Sequence, residues 1–132
     1  MFTHVHLGSS DVGRSKAFYD ALFDALGGAR SWKDSERNRW FWQRGETFLV
    51  VGEPLDHEAP HPGNGVTIGF SVDSPEQGDA WHAAGIANGG TSCEDPPGIR
   101  SHSAEGGIYL AYLRDPDGNK LCALKFMGPL AV

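Results

Sequence analysis

Cationic runs are missing from this chain. Its 11 Lys and Arg are outnumbered by 17 Asp and Glu, for a formal net charge of −6, and no basic stretch gathers them together. A phosphate backbone finds no electrostatic footprint here, so nucleic acid is not an expected partner. Long apolar runs are missing too. The N-terminal MFTHVHLGSSD has neither the cationic start nor the apolar centre of a signal peptide, and no later segment is long enough to span a bilayer. The expectation is a cytoplasmic protein with no membrane partner. Cysteine is scarce: Cys93 and Cys122 are the only two, and such a pair in a chain without a secretion signal is expected to stay as free thiols.

What the chain does have is punctuation. Eighteen glycines and eight prolines fall between periodic apolar segments, which marks turns rather than disorder. With 132 residues and 39% hydrophobic content, one domain over 1–132 can bury roughly two thirds of its unfolded surface. Residues 3–9 alternate like a strand. Asp11 can then cap a helix whose apolar residues Val12, Ala17, Phe18, Ala21, Leu22, Ala25 and Leu26 recur at helical spacing until Gly27-Gly28. Strands are expected over 39–43 and 47–51, followed by a loop rich in Pro, His and Gly over 52–65.

The same order then returns. Residues 66–72 read as a strand, Ser74-Pro75 opens a helix with Trp81, Ala84 and Ile86 on its apolar side, and Gly89-Gly90 ends it. Strands over 108–114 and 120–126 flank Asp115-Pro116-Asp117-Gly118, whose residue types suit a type I turn with a glycine bulge. The chain is thus a β-α-β-β-β unit written twice, with repeats at about 1–54 and 65–128. His4 lies seven residues before Asp11, and Thr67 lies seven before Ser74, which makes them counterparts. By the same logic Val50 corresponds to Cys122. The expected fold class is α+β, with two tandem βαβββ modules forming a curled mixed sheet around a cleft. His4, His6 and Gly8 would line one edge of that cleft, and Thr67, Gly69 and Ser71 the other.

Three stretches, THVHLGSSDVGRSKAFYDAL, GNGVTIGFSVDSPEQGDAWHAAGIANGG and YLAYLRDPDGNKLCAL, together resemble the vicinal oxygen chelate superfamily over nearly the whole chain. That superfamily includes glyoxalase I, bleomycin resistance proteins, fosfomycin resistance enzymes and extradiol dioxygenases. The resemblance implies a homodimer and, in metal-dependent members, one divalent cation held by residues from both halves, usually two His with one or two Glu. Those positions are His4, Val50, Thr67 and Cys122 here, and only His4 is a ligand of the family type. Valine cannot coordinate, a threonine hydroxyl is a poor ligand, and Cys122 stands where the resemblance places a glutamate.

The leading expectation is therefore a bleomycin-resistance-like protein that binds a small-molecule ligand, has a degenerate metal site and needs no cofactor. The alternative is a metal-dependent lyase, of the lactoylglutathione lyase kind, or a dioxygenase. Zinc, nickel, manganese or iron would then sit at a rebuilt site of His4 and Cys122, with His6 or a carboxylate such as Glu46 or Glu53. A third possibility uses Cys122 as a nucleophile, which requires a nearby cation to lower its pKa; a small buried side chain on a strand is the commoner state of a free cysteine.

Other candidates for the pocket surround these. Arg100 and His102 stand in PPGIRSHSAEGGIY, a loop that the resemblance places at the cleft entrance, where Arg100 can pair with an anionic group. Tyr109 or Tyr112 can add a hydroxyl. In the strand over 39–43, Trp40 and Trp42 form one row and Arg39, Phe41 and Gln43 the other. Alternation alone leaves open which row lines the cleft.

Overall fold

The computed structural model describes residues 1–103 and 106–128, with the side chains of residues 102 and 103 outside that description. β1 (His4–Gly8) runs into α1 (Val12–Ala25), which begins where the Asp11 carboxylate turns back to accept the Arg14 N–H. β2 (Arg30–Lys33), β3 (Arg39–Arg44) and β4 (Thr47–Gly52) complete the first half. β5 (Ile68–Ser71) opens the second. α2 (Pro75–Ala87) follows, with Ser74 Oγ accepting the Gln77 N–H and proline in its first turn. β6 (Thr91–Ser92), β7 (Gly98–Ser103), β8 (Gly106–Arg114) and β9 (Lys120–Phe126) end the described chain.

The expected curled sheet is realised as two mixed sheets. The first has the order β1-β4-β3-β2, and the second β5-β9-β8, with β6 and β7 both along the far edge of β8. β1 pairs in parallel with β4, and β5 with β9. The registers repeat: His6 lies opposite Val50 and Gly69 opposite Cys122, the correspondence that the duplicated sequence implies. Two expectations need correction. The strand expected over 66–72 is only Ile68–Ser71, so Thr67 precedes it, because the chain is still turning at Gly63–Val66, where Gly65 has φ +91°. No residues were assigned from the sequence to β2, β6 or β7, although the βαβββ order calls for a third strand after each helix; they are strands recruited by the free edges of β3 and β8.

Alternation sorts each sheet into two faces. On one face Leu7, Leu49, Val51 and Trp42 of the first sheet, with Tyr109, Ala111, Leu113, Leu121 and Ala123 of the second, meet Phe18, Tyr19, Leu22, Phe23 and Trp81 of the helices. One core therefore serves both sheets. The β8–β9 turn fastens the halves together. Gly118 adopts φ +91° there, and its N–H bonds the Asp115 carbonyl at 2.9 Å. Asp117 Oδ1 accepts from the Ser10 N–H at 2.9 Å and from Arg14 at 3.2 Å, while Asn119 donates to the Gly8 carbonyl at 3.1 Å. The last turn of the second half is thus seated on the first turn of α1.

Candidate functional site

The opposite face of each sheet carries no helix. On the first sheet that face presents His4 and His6 from β1, Phe48 and Val50 from β4, Arg39, Phe41 and Gln43 from β3, and Trp32 from β2. Four of these rings form a ladder across all four strands. His4 stacks on Phe48 with centroids 4.7 Å apart, Phe48 and Phe41 are 5.9 Å apart, and Phe41 stacks on Trp32 at 5.1 Å. Arg39 lies 5.6 Å from the Phe41 centroid and Arg30 lies 4.8 Å from that of Trp32. A ring-rich, arginine-flanked sheet face is unlike the polar outer face of an ordinary solvated sheet.

This settles the open question about β3. The tryptophan row faces the helices: Trp42 is 2% exposed and donates its Nε1–H to Asp20 at 2.9 Å. The Arg39, Phe41 and Gln43 row faces outward. Nothing in the alternation marked the ladder as such, although one ring on the same face of each of the four strands, with a diagonal step from Phe48 to Phe41, is a usable signal.

The remaining candidates disperse. His4, with Nδ1 2.9 Å from Thr3 Oγ1, borders a cavity of about 620 Å³ at the free edges of β1 and β5, together with Phe48, Phe70, Gly69 and Ser71. That cavity does not reach Cys122, Val50 or Thr67. His6 borders a different cavity, and its pKa is lowered by burial, then by Arg39 and His4. Val50 is 3% exposed, and Thr67 is exposed ahead of β5. Arg100 is committed to structure, its guanidinium donating to the carbonyls of Gly98, Leu110 and Pro96 at 2.8, 2.6 and 2.8 Å.

Tyr109 turns to the helix side of β8, where its hydroxyl donates to Asp79 at 2.7 Å, so it lines no part of the open face. Tyr112 takes the open side, with Lys120 5.0 Å from its ring centroid. The His102 side chain lies outside the described residues. Cys122 is mid-strand and buried; burial pushes its thiol pKa up, Lys120 pulls it down and Glu94 raises it further. Iodoacetamide at pH 7.5 is therefore expected to label the more accessible Cys93 first. Faster labelling of Cys122, followed by peptide mass spectrometry, would restore the thiol nucleophile.

The four positions that the resemblance assigns to metal ligands differ in what they offer. Val50 offers no donor atom and Thr67 only a hydroxyl, while burial holds the Cys122 thiol above its ordinary pKa. Among the described residues, no three His, Cys, Asp or Glu side chains are grouped to hold a metal ion.

The chain matches the Glyoxalase/Bleomycin resistance protein/Dioxygenase superfamily over residues 2–123. A glyoxalase/bleomycin resistance protein from Albidiferax ferrireducens T118 is similar at 51% identity, covering 94% of this chain and 98% of that one, with a TM-score of 0.85. A glyoxalase/bleomycin resistance protein/dioxygenase family enzyme from Burkholderia phytofirmans PsJN shares 19% identity over 95% and 98% of the two chains, at a TM-score of 0.71. A lactoylglutathione lyase from Agrobacterium tumefaciens shares 18% over 94% and 92%, at 0.60. The last two likenesses are of fold alone. No curated protein matches the chain.

Proposed function

The chain belongs to the glyoxalase/bleomycin resistance protein/dioxygenase superfamily, and on that premise we propose that it binds a small organic molecule without the metal used by metal-dependent members. The aromatic ladder on the open face of the first sheet carries this reading. It offers π-faces and edges with two arginines beside them, where a metal-dependent site would need converging His and carboxylate donors. Catalysis is no part of the proposal.

A homodimer fits the same picture. Phe126, 72% exposed, and Leu124 stand on the open face of the second sheet, and a second copy laid on that face would remove apolar surface from water. Among the described residues no helix is long and apolar enough to cross a membrane, and the proposed setting is the cytoplasm.

Elemental mass spectrometry on untagged protein tests the reading, after growth and dialysis with nickel, zinc, manganese and iron(II) each supplied in turn. Far less than one metal per chain is expected, together with a light-scattering mass of twice the 14.2 kDa chain. Close to one metal per chain, lost in His4→Ala, would establish the lyase or dioxygenase alternative in its place.

A further inference from the structure

The cavity bordered by His6 lies at the other end of the same open face. It measures about 680 Å³ and is walled by His6 and Gly8 of β1, by Arg37 and Arg39 at the start of β3, and by the loop that follows β4. The loop rests directly on the strand: a Cβ added at Gly8 would stand 2.7 Å from Pro60 Cβ. Only glycine lets the roof come this close.

The charges in this cavity are unevenly satisfied. Asp34 holds Arg39 by Nε at 3.0 Å, and among the described residues neither the terminal nitrogens of Arg39 nor the Arg37 guanidinium makes a hydrogen bond or ion pair. Two acids, Glu53 and Asp56, also line the cavity, each with one carboxylate oxygen engaged within its own loop. Glu53 Oε1 is 2.8 Å from His57 Nδ1, and Asp56 Oδ1 accepts the Glu58 N–H at 3.0 Å. A chain of net charge −6 thus holds a concave site whose wall carries Arg37, Arg39 and His6, with guanidinium nitrogens left over after the Asp34 pair. Planar, forked donors of this kind match a carboxylate.

Arg39 joins this cavity to the ladder, since it walls the one and lies over Phe41 of the other. His6 lies across from Val50, whose other neighbour is Phe41. We propose that the open face of the first sheet takes a flat aromatic carboxylate, with its ring on the Phe41 and Phe48 tier and its carboxylate among Arg37, Arg39 and His6. This rests on the small-molecule reading above and adds the ligand's chemical class to it. The ring supplies apolar contact area, and the carboxylate supplies orientation.

Three probes separate the parts. Benzoate carries both features, benzamide keeps the shape without the charge, and acetate keeps the charge without the ring. In titrations of isotope-labelled protein followed by NMR, benzoate is expected to bind at least tenfold more tightly than either of the others. Arg39→Gln and, as a variant with an exposed and unpartnered side chain, Arg37→Gln should each weaken benzoate severalfold to tenfold while leaving benzamide unchanged. The His6 imidazole supplies an independent readout. It is faced by the cations Arg37 and Arg39, by His4 and His61, and by Glu53 and Asp56. A carboxylate arriving there favours the imidazolium, so the His6 titration midpoint should rise on saturation with benzoate.

Benzamide or acetate binding as well as benzoate, no binding of benzoate, or an unmoved His6 midpoint would each overturn the proposal. Equal binding of benzamide and benzoate by metal-free protein would do so while leaving the small-molecule reading intact. Stoichiometric metal would overturn that reading instead, and the benzoate titration repeated with chelator present would still decide this one.

Discussion

Replacing Asp115 with alanine is expected to cost about 3–5 kcal/mol of stability and to lower the melting temperature by roughly 10–15 °C. The carboxylate is 4% exposed and accepts four hydrogen bonds. The Tyr19 hydroxyl reaches Oδ2 at 2.6 Å and Asn119 Nδ2 reaches it at 2.9 Å, while the N–H groups of Asp117 and Asn119 reach Oδ1 at 3.0 and 2.9 Å. Truncation leaves all four donors without their acceptor. A lost bond between exposed partners is worth about 1 kcal/mol, but a buried donor left unpaired costs its full desolvation. Tyr19 is the sharpest case, since it is wholly buried on α1.

Tyr19→Phe is the control: it removes one donor, leaves the carboxylate three others, and is expected to cost about 1 kcal/mol. Urea denaturation of the two variants measures the difference. An Asp115→Ala loss no larger than that of Tyr19→Phe would mean that the β8–β9 turn does not hold the two halves together.

The elements legible in the sequence were those written in local chemistry. Asp11 and Ser74 were readable as caps because a short polar side chain before an apolar helical pattern has one obvious use there. The β8–β9 hairpin was readable because Pro116 and Gly118 preset the backbone of its turn. The duplication survived as well, down to the matched pairing of His6 with Val50 and Gly69 with Cys122.

What stayed hidden depended on partners far along the chain. RSWK and GIRSHS carry no clean alternation, and they become strands because β3 and β8 offer unpaired backbone along their edges. Both rows of β3 are aromatic, so apolarity could not orient it. The Asp20 carboxylate at Trp42 Nε1 belongs to the inner arrangement, and Asp20 comes from α1. Arg100 read as a ligand clamp because its composition is that of one; its binding to three carbonyls is a fact of the β7–β8 pairing. That the cavity beside His4 stops short of Cys122 was hidden for the same reason. A register can establish that two positions are equivalent in the two halves without bringing them together.

Tyr109 shows how such a choice is made, and it leads to a second large effect. Alternation places Tyr109 and Tyr112 on opposite faces of β8, and Gly78 in the first half of α2 decides which goes inward by leaving room for a ring. Gly78→Ala is accordingly expected to destabilise the protein by about 2–3 kcal/mol, although alanine in a helix interior is favoured over glycine by about 1 kcal/mol. The added methyl would overlap Cε1 and Cζ of Tyr109 and stand 2.6 Å from its hydroxyl. The ring has nowhere to withdraw. Tyr109 is 1% exposed, its strand is held between β9 and β7, and its hydroxyl is fixed on Asp79 at 2.7 Å.

Relief requires α2 to lift from β8, which would loosen Trp81 and Gly85 from the core as well, since Gly85 sits against Leu113. Overpacking therefore outweighs propensity. Combining Gly78→Ala with Tyr109→Leu removes the overlap, so the double variant should lose less than the sum of the two single changes by about 1–3 kcal/mol. Additive losses would mean that the helix yields without strain. A stabilised Gly78→Ala would mean that α2 rides higher over β8, and that the face assignment of Tyr109 and Tyr112 must be redrawn.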